Sequence, residues 1–409
     1  MRFVLSRKVF RLPTRSETRG RHGAVVPLTA ILMVFLLGML AFAIDLGYLA
    51  VVKAELQNAA DAAALAGASQ ILDRDELAGQ PNQSAEIAAA REQAVALAGL
   101  NRVAGRPVYL DANTANDPAG DVVVGYLPNP ADHQNTLRTD VYPYNSVQVR
   151  IRLSRSHGSP LALFFGPVLG RGSQDLEVTA TATYEGEIRG FRITATGPQT
   201  SKLLPFALDI NAWNRIASGQ GDDNWFYDPA TGQVRAGRDN IKEGKMYPLS
   251  NNGASGNRSS TALPPGNFGT IDIGAANNST ADIERQIRYG PNRADFERMG
   301  GGFFLGADGT LIVTGDTGIS AGFKDALQSI IGQPRVLPLY RPPVTGTGNN
   351  ARFTIVGFAG VIVTDVKLTG ALSSKQVTIQ PEFVFDGTAV GGGSAQTSRF
   401  VYRPLQLTR

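Results

Sequence analysis

From Ala24 to Ile44 the chain runs 21 residues without a charged side chain, through Leu, Met, Phe, Ile and Val. The hydrocarbon core of a bilayer is about 30 Å thick, and a helix crosses it in roughly 20 such residues. This stretch is therefore read as a membrane span. The apolar run passes a single Asp45 and continues into an alanine-rich segment with no strong turn signal before Leu72. At about 1.5 Å per residue, a helix from Ala24 to Leu72 would be a rod of roughly 70 Å, less than half of it in lipid. The expectation is a stalk, rooted in a membrane, that carries a folded cargo.

Charge sets the direction of that stalk. The formal net charge is +4, but Arg2, Arg7, Lys8, Arg11, Arg15, Arg19 and Arg21 oppose only Glu17 before the span, and the remainder is slightly acidic. A basic flank beside a span is a positive-inside signal, which argues against a nucleic-acid arm and predicts a cytoplasmic N-terminus with everything after the span extracytoplasmic. The apolar run exceeds the 7 to 15 residues of a signal peptide and no clean small-x-small site closes it, so a retained single-pass anchor in the cytoplasmic membrane is expected. Cysteine is absent, which excludes disulfides, thiol nucleophiles and Cys-ligated zinc. The 46 Gly and 23 Pro, many of them clustered, point to a loop-rich β protein beyond the stalk.

Within the span, Pro27 sits in the first turn, where its missing N–H costs least. Gly38, Ala41, Ala43 and Gly47 put small residues on neighbouring turns, and Ala43 to Gly47 is a small-xxx-small pair of the kind that lets helices approach closely in lipid. Asp45 falls at the far interface if the span is 24 to 44. Further on, Leu56, Ala60, Ala63, Ala64, Gly67 and Ile71 share one face of a 3.6 repeat. That face suits close packing against another helix or the stalk's own domain. Ala78-Gly79-Gln80-Pro81-Asn82 breaks the helix, and a second helix is expected from Ser84 to Ala104.

Residues beyond it alternate. Val147, Val149, Ile151 and Leu153 interleave with Gln148, Arg150 and Arg152, and Leu176, Val178, Ala180, Ala182 and Tyr184 interleave with Glu177 and threonines, two half-buried strands. Between them, Pro160 to Leu169 reads as one or two helical turns under the sheet. From Phe191 onward, Gly/Asn/Ser stretches at 217–222, 250–260, 274–280, 346–350 and 391–396 separate strands expected at 309–314, 335–341, 353–368, 376–386 and 399–406, with helices at Ser279–Tyr289 and Ser320–Ile331. The fold class is therefore α+β: a single N-terminal transmembrane helix extended into an Ala-rich stalk, a small α+β domain, and a β-rich C-terminal domain. The corresponding divisions are 1–22, 23–72, 73–190 and 191–409.

Three elements together, Gly23-Ala24-Val25-Val26-Pro27, Ala41-Phe42-Ala43-Ile44-Asp45-Leu46-Gly47 and Leu56-Gln57-Asn58-Ala59-Ala60-Asp61-Ala62-Ala63-Ala64-Leu65-Ala66, resemble the N-terminal segment of the Tad (tight adherence) Flp pilus-assembly proteins of the TadE/TadG type. Ser146 to Ser154, Phe164-Phe165-Gly166 and Val178 to Ala182 resemble the domain that follows in those proteins. Pro265 to Gly269, Leu337-Pro338-Leu339-Tyr340 and Val356 to Ala359 resemble a C-terminal region of some members. The resemblance implies a bacterial, membrane-anchored, pilin-like protein with no enzymatic activity and no cofactor. Its partners would be the lipid bilayer and other Tad/Flp pilus-assembly proteins, met through span and stalk, with no nucleic acid and no small-molecule substrate. Asp45, Gly47, Leu56, Gln57, Ala60 and Asp61 would form its membrane and helix-packing motif. Members processed by a prepilin peptidase carry Glu at the fifth position after the cleaved glycine. Here Leu28 stands there, which favours an uncleaved assembly factor over a filament subunit.

Chemical motifs are sparse. His22, His133 and His157 are scattered without H-E-x-x-H spacing, and no G-x-S-x-G occurs in a strand–turn–helix context. Asp316-Thr317-Gly318 follows an apolar strand as in aspartic proteases, but there is no second copy. Asp316 to Ser320 also approaches a D-x-S-x-S metal site, with Gly318 in place of the middle serine. The simplest reading is a turn in which Asp316 or Ser320 caps the next helix. The alternative to an assembly component is an extracytoplasmic binding module or adhesin holding a divalent cation near Asp316, and a membrane-tethered hydrolase with Asp316 as its sole candidate carboxylate comes third.

Overall fold

The computed structural model describes residues 25–132, 134–157, 159–248, 266–274, 279–346, 348–370, 374–394 and 397–408. The basic flank at 1–22, Gly23, His22, His133 and the stretch 250–260 lie outside the described residues. The chain divides into two compact units, residues 1–53 with 153–176 and residues 54–152 with 177–409.

The apolar run and the alanine stretch form one continuous helix, α1 (Val25–Ala68). Its start matches the expected span. Its end comes earlier than Leu72, because the final turn tightens: the Gln70 N–H reaches Gly67 O at 3.1 Å, and the Ser69 hydroxyl donates back to Ala66 O at 2.7 Å. A serine that satisfies the helix end with its own side chain competes with the next helical turn.

The first unit contains α1 up to Lys53 and a short hairpin in which Leu161–Ala162 pairs antiparallel with Ser173–Gln174. A 3₁₀ turn, Gly166–Leu169, bridges the two strands. The segment expected to hold one or two helical turns thus holds one, a 3₁₀ turn at its end, preceded by a hairpin strand. Pro167 opens the 3₁₀ turn and Gly170, at φ 79°, ends it in the left-handed region. Phe164 and Val168 lie open to solvent.

In the second unit, the rest of α1 packs against α2 (Ser84–Leu100) and a four-stranded antiparallel sheet ordered Gln406–Leu407, Leu176–Thr183, Ser146–Leu153, Val122–Gly125. Val147, Val149, Ile151, Val178, Ala180 and Ala182 are buried, as their alternation predicts. α2 stops before Ala104 because Asn101 turns extended and Arg102–Val103 pairs back with Arg106–Pro107. Gly79 ends the intervening 3₁₀ turn Arg74–Ala78 at φ 75°, where an added Cβ would stand 2.6 Å from the Ser218 carbonyl carbon. Only glycine fits there.

The C-terminal part of this unit is built on a closed circuit of strands. Phe206–Asp209 pairs with Phe268–Ile271, that with Leu311–Asp316, that with Ala351–Lys367, and that with Arg335–Thr345. The circuit closes where Leu339 lies opposite Leu208, in the only parallel step of the ring. Within the ring itself each of these five strands is paired on both sides. Gln376–Pro381 and Gly244–Met246 extend from the far half of the long strand. Two cores fill this region, one around Phe353, Phe358, Tyr340 and Phe191, the other around Trp213, Phe206, Phe323 and Phe400.

The helices at Thr280–Tyr289 and, split into 3₁₀ and α turns, at 321–328 occur where expected, capped by Ser279 and Ser320. Two short helices were not anticipated, Ile210–Ala217 and Arg293–Arg298. Leu77 and Ala78 share the Trp213 core, so the turn after the stalk is part of the same packed body as the C-terminal residues.

Candidate functional site

α1 changes character along its length. From Val25 to Ile44 its large apolar side chains are exposed, Phe35 at 63% and Val34 at 71% among them. Gly38 and Gly47 have nothing within 4 Å of an added Cβ. From Val52 onward one stripe is wholly buried: Val52, Leu56, Ala59, Ala60, Ala63, Ala64 and Ala68. An apolar surface with no protein cover over some 20 residues is what a lipid-facing helix presents. The single apolar helix supports membrane anchoring.

Asp45 marks the change. It is 5% exposed, and its carboxylate accepts the backbone N–H of Phe164 at 2.9 Å and of Phe165 at 3.1 Å. Tyr48, one turn on, lays its ring 4.8 Å from that of Phe164. A buried carboxylate is tolerated when donors such as these neutralise it. The expected interface residue is therefore also a clamp on the 161–174 hairpin.

The Leu56-to-Asp61 element splits between packing and pinning. Leu56 and Ala60 are fully buried. Gln57, half-buried, donates to Asp61 Oδ1 at 2.8 Å and to the Thr179 carbonyl at 3.4 Å. The i,i+4 pair thus holds the amide toward the strand Leu176–Thr183. Glu55 accepts the Ala104 N–H at 2.8 Å. The small residues have a geometric reason: a Cβ on Gly67 would stand 2.9 Å from Ala90 O and 3.1 Å from Ala94 Cβ. The stalk face packs on its own domain.

Asp316 accepts the Gly318 N–H at 2.9 Å, while Ser320 accepts the Gly322 N–H and caps the helical turn. Among the described residues no group of three or more His, Asp or Glu is arranged to hold a metal. His157 meets Ser154 and Ser156. A cleft of about 450 Å³ beside α2 gathers Arg91, Glu92 and Thr114 without a nucleophile–base pair. Glu243 was missed by the sequence reading. It is 2% exposed, and burial pushes its carboxyl up to about 7 against the pull of the Asn224 and Trp225 amides that donate to it.

Residues 23–70 match the Tad profile of TadE/G-like Flp pilus-assembly proteins, and residues 53–182 match the Tad_C profile of Tad-like Flp pilus assembly. Together the two matches cover residues 23–182, and this part of the chain is similar to Tad-like Flp pilus-assembly proteins. No curated protein and no solved structure matches the chain. The Tad match coincides with α1, its exposed half and its buried half together. The Tad_C match takes in the buried stalk, α2 and the strands Val122–Gly125, Ser146–Leu153 and most of Leu176–Thr183. The strand circuit lies beyond it.

Proposed function

We propose that this chain is a non-enzymatic, membrane-anchored component of Flp pilus assembly that contributes to bacterial surface adhesion. The observation that supports this most is the coincidence of the Tad match, residues 23–70, with a single helix whose first half is uncovered and whose second half is buried in the protein. The first half acts as anchor. Asp45, Gly47, Leu56, Gln57, Ala60 and Asp61 act as the motif that joins span to stalk and stalk to domain. The N-terminus lies in the cytoplasm and the folded part outside the cytoplasmic membrane, where it meets other pilus-assembly proteins.

Deleting the gene in the native host and complementing it tests the reading. The full chain restores surface pili and attachment. A version whose residues 25–44 are replaced by a cleavable export signal, which releases the folded part, does not. Restoration by the released part would overturn the anchored role. The mature N-terminus, read by mass spectrometry, separates an assembly factor from a processed subunit: a start at Ala24 would make the chain a minor pilin despite Leu28.

A further inference from the structure

We propose that the tip of the 161–174 hairpin is a second membrane contact, seating Phe164, Phe165 and Val168 in the interfacial layer of the leaflet from which α1 emerges. The proposal rests on the reading of Val25 to Ile44 as a span. Phe164 is 65%, Phe165 39% and Val168 85% exposed, which places three large apolar side chains on a loop too short to cover them. Such a cluster on a soluble surface calls for a covering partner.

The position of the cluster selects lipid as that partner. Twenty steps of helix from Val25 to Asp45 rise about 30 Å, the thickness of the hydrocarbon core. If the span begins at Val25, Asp45 stands at its polar boundary. The tip is tied to that level by the Phe164 and Phe165 amides on Asp45 and by the Tyr48–Phe164 ring contact. Both belong to the same compact unit as the exposed half of α1. Aromatic rings concentrate at this depth, where an apolar body and a polar surround are both satisfied. Arg155 and Arg171, exposed in the same unit, suit the phosphates above it. The hairpin thereby fixes how far α1 can slide through the bilayer, because a shift of one turn would drag Asp45 into hydrocarbon or lift the rings into water.

The chain has no cysteine, so single-cysteine variants report one site each. Val168→Cys, Gly38→Cys and Ala230→Cys, each labelled with an environment-sensitive fluorophore, are reconstituted as full chains in phosphatidylethanolamine/phosphatidylglycerol vesicles. Quenching by nitroxides carried at shallow and deep positions on the lipid then reads depth. Position 168 is expected to be quenched by the shallow nitroxide, 38 by the deep one and 230 by neither. A label at 168 that no lipid nitroxide quenches, with 38 deep, would overturn the second contact, leave the span intact and point to a protein partner for the tip. Labels at 38 and 168 that both remain in water would overturn the span itself.

Discussion

Arg74 and Glu382, 308 residues apart, form a two-pronged ion pair, Nη1 to Oε1 and Nη2 to Oε2, each at 3.1 Å. The Glu382 side chain is 5% exposed and that of Arg74 42%. The pair links the turn that follows the stalk to the end of the strand Gln376–Pro381. Nearby, Leu77 sits in the core with Trp213, and Gln406–Leu407 pairs with Leu176–Thr183. Removing the arginine leaves a buried carboxylate that, among the described residues, keeps the Phe383 N–H as its hydrogen-bond donor. Arg74→Met is expected to destabilise the second unit by about 1–3 kcal/mol, at the lower end because one partner is half-exposed. Arg74→Met with Glu382→Gln should recover part of that loss. A chemical-unfolding double-mutant cycle checks it, and additive effects would mean the pair is not coupled.

Gly67 carries the approach of stalk to α2. Alanine there gains about 1 kcal/mol of helix propensity but crowds Ala90 O, Ala94 and Val147, for which overpacking costs about 1–3 kcal/mol. A small net loss is expected for Gly67→Ala and a larger one for Gly67→Leu. Thermal melts of the purified chain in detergent decide this. An unchanged midpoint for Gly67→Leu would mean that the two helices part easily.

Glu243 makes stability depend on pH in a stated direction. Its carboxyl titrates near 7 when folded and near 4.5 when unfolded. Between those values the unfolded chain has released a proton that the folded chain still holds, so stability falls as pH rises through the window and levels off above it. Glu243→Gln, with its amide oxygen toward the Trp225 N–H, should flatten this segment of the profile. The relative gain at pH 8 should be on the order of a few kcal/mol. Urea midpoints at pH 5 and pH 8 for both chains provide the check, and parallel profiles would contradict the assignment.

Asp45 should control the hairpin. A hydrogen bond to a charged acceptor contributes about 1.5–3 kcal/mol, so Asp45→Ala should speed hydrogen exchange at the Phe164 and Phe165 amides by roughly 10- to 100-fold. Exchange in α2 should not change. Equal protection in both chains would show that the clamp does not hold the loop.

Local patterns were legible where one face of an element is buried and the other is not. Leu56, Ala60, Ala63, Ala64, Gly67 and Ile71 recur at the helical period because a single stripe of α1 and its continuation touches the domain. Val147, Val149 and Ile151 alternate because one face of their strand is fully buried while Gln148, Arg150 and Arg152 opposite are only half-buried. The closed strand circuit was not legible. It depends on Leu208 meeting Leu339, a pairing set by packing across more than a hundred residues and by no local signal. The helix Ile210–Ala217 was too short for its period to stand out, although Asp209, which accepts the Asn211 N–H at 2.8 Å, is an N-cap that marks it. The Asn292–Asp295 capping box was a similar missed sign. In the hairpin at 161–174, an apolar run resembled a buried segment, but the structure buries Leu161 and leaves Phe164, Phe165 and Val168 exposed. The candidate anchor was read from charge and length alone. The clamp at its end required the structure.

We propose that one helix holds the folded part of this chain on the outer side of the cytoplasmic membrane. The most direct test uses Ala230→Cys, at an exposed turn of the otherwise cysteine-free chain, treated with a membrane-impermeant maleimide in spheroplasts. Labelling of intact spheroplasts, with the chain retained in carbonate-washed membranes, is the predicted result. Labelling only after lysis, or release of the chain by carbonate, would contradict the account.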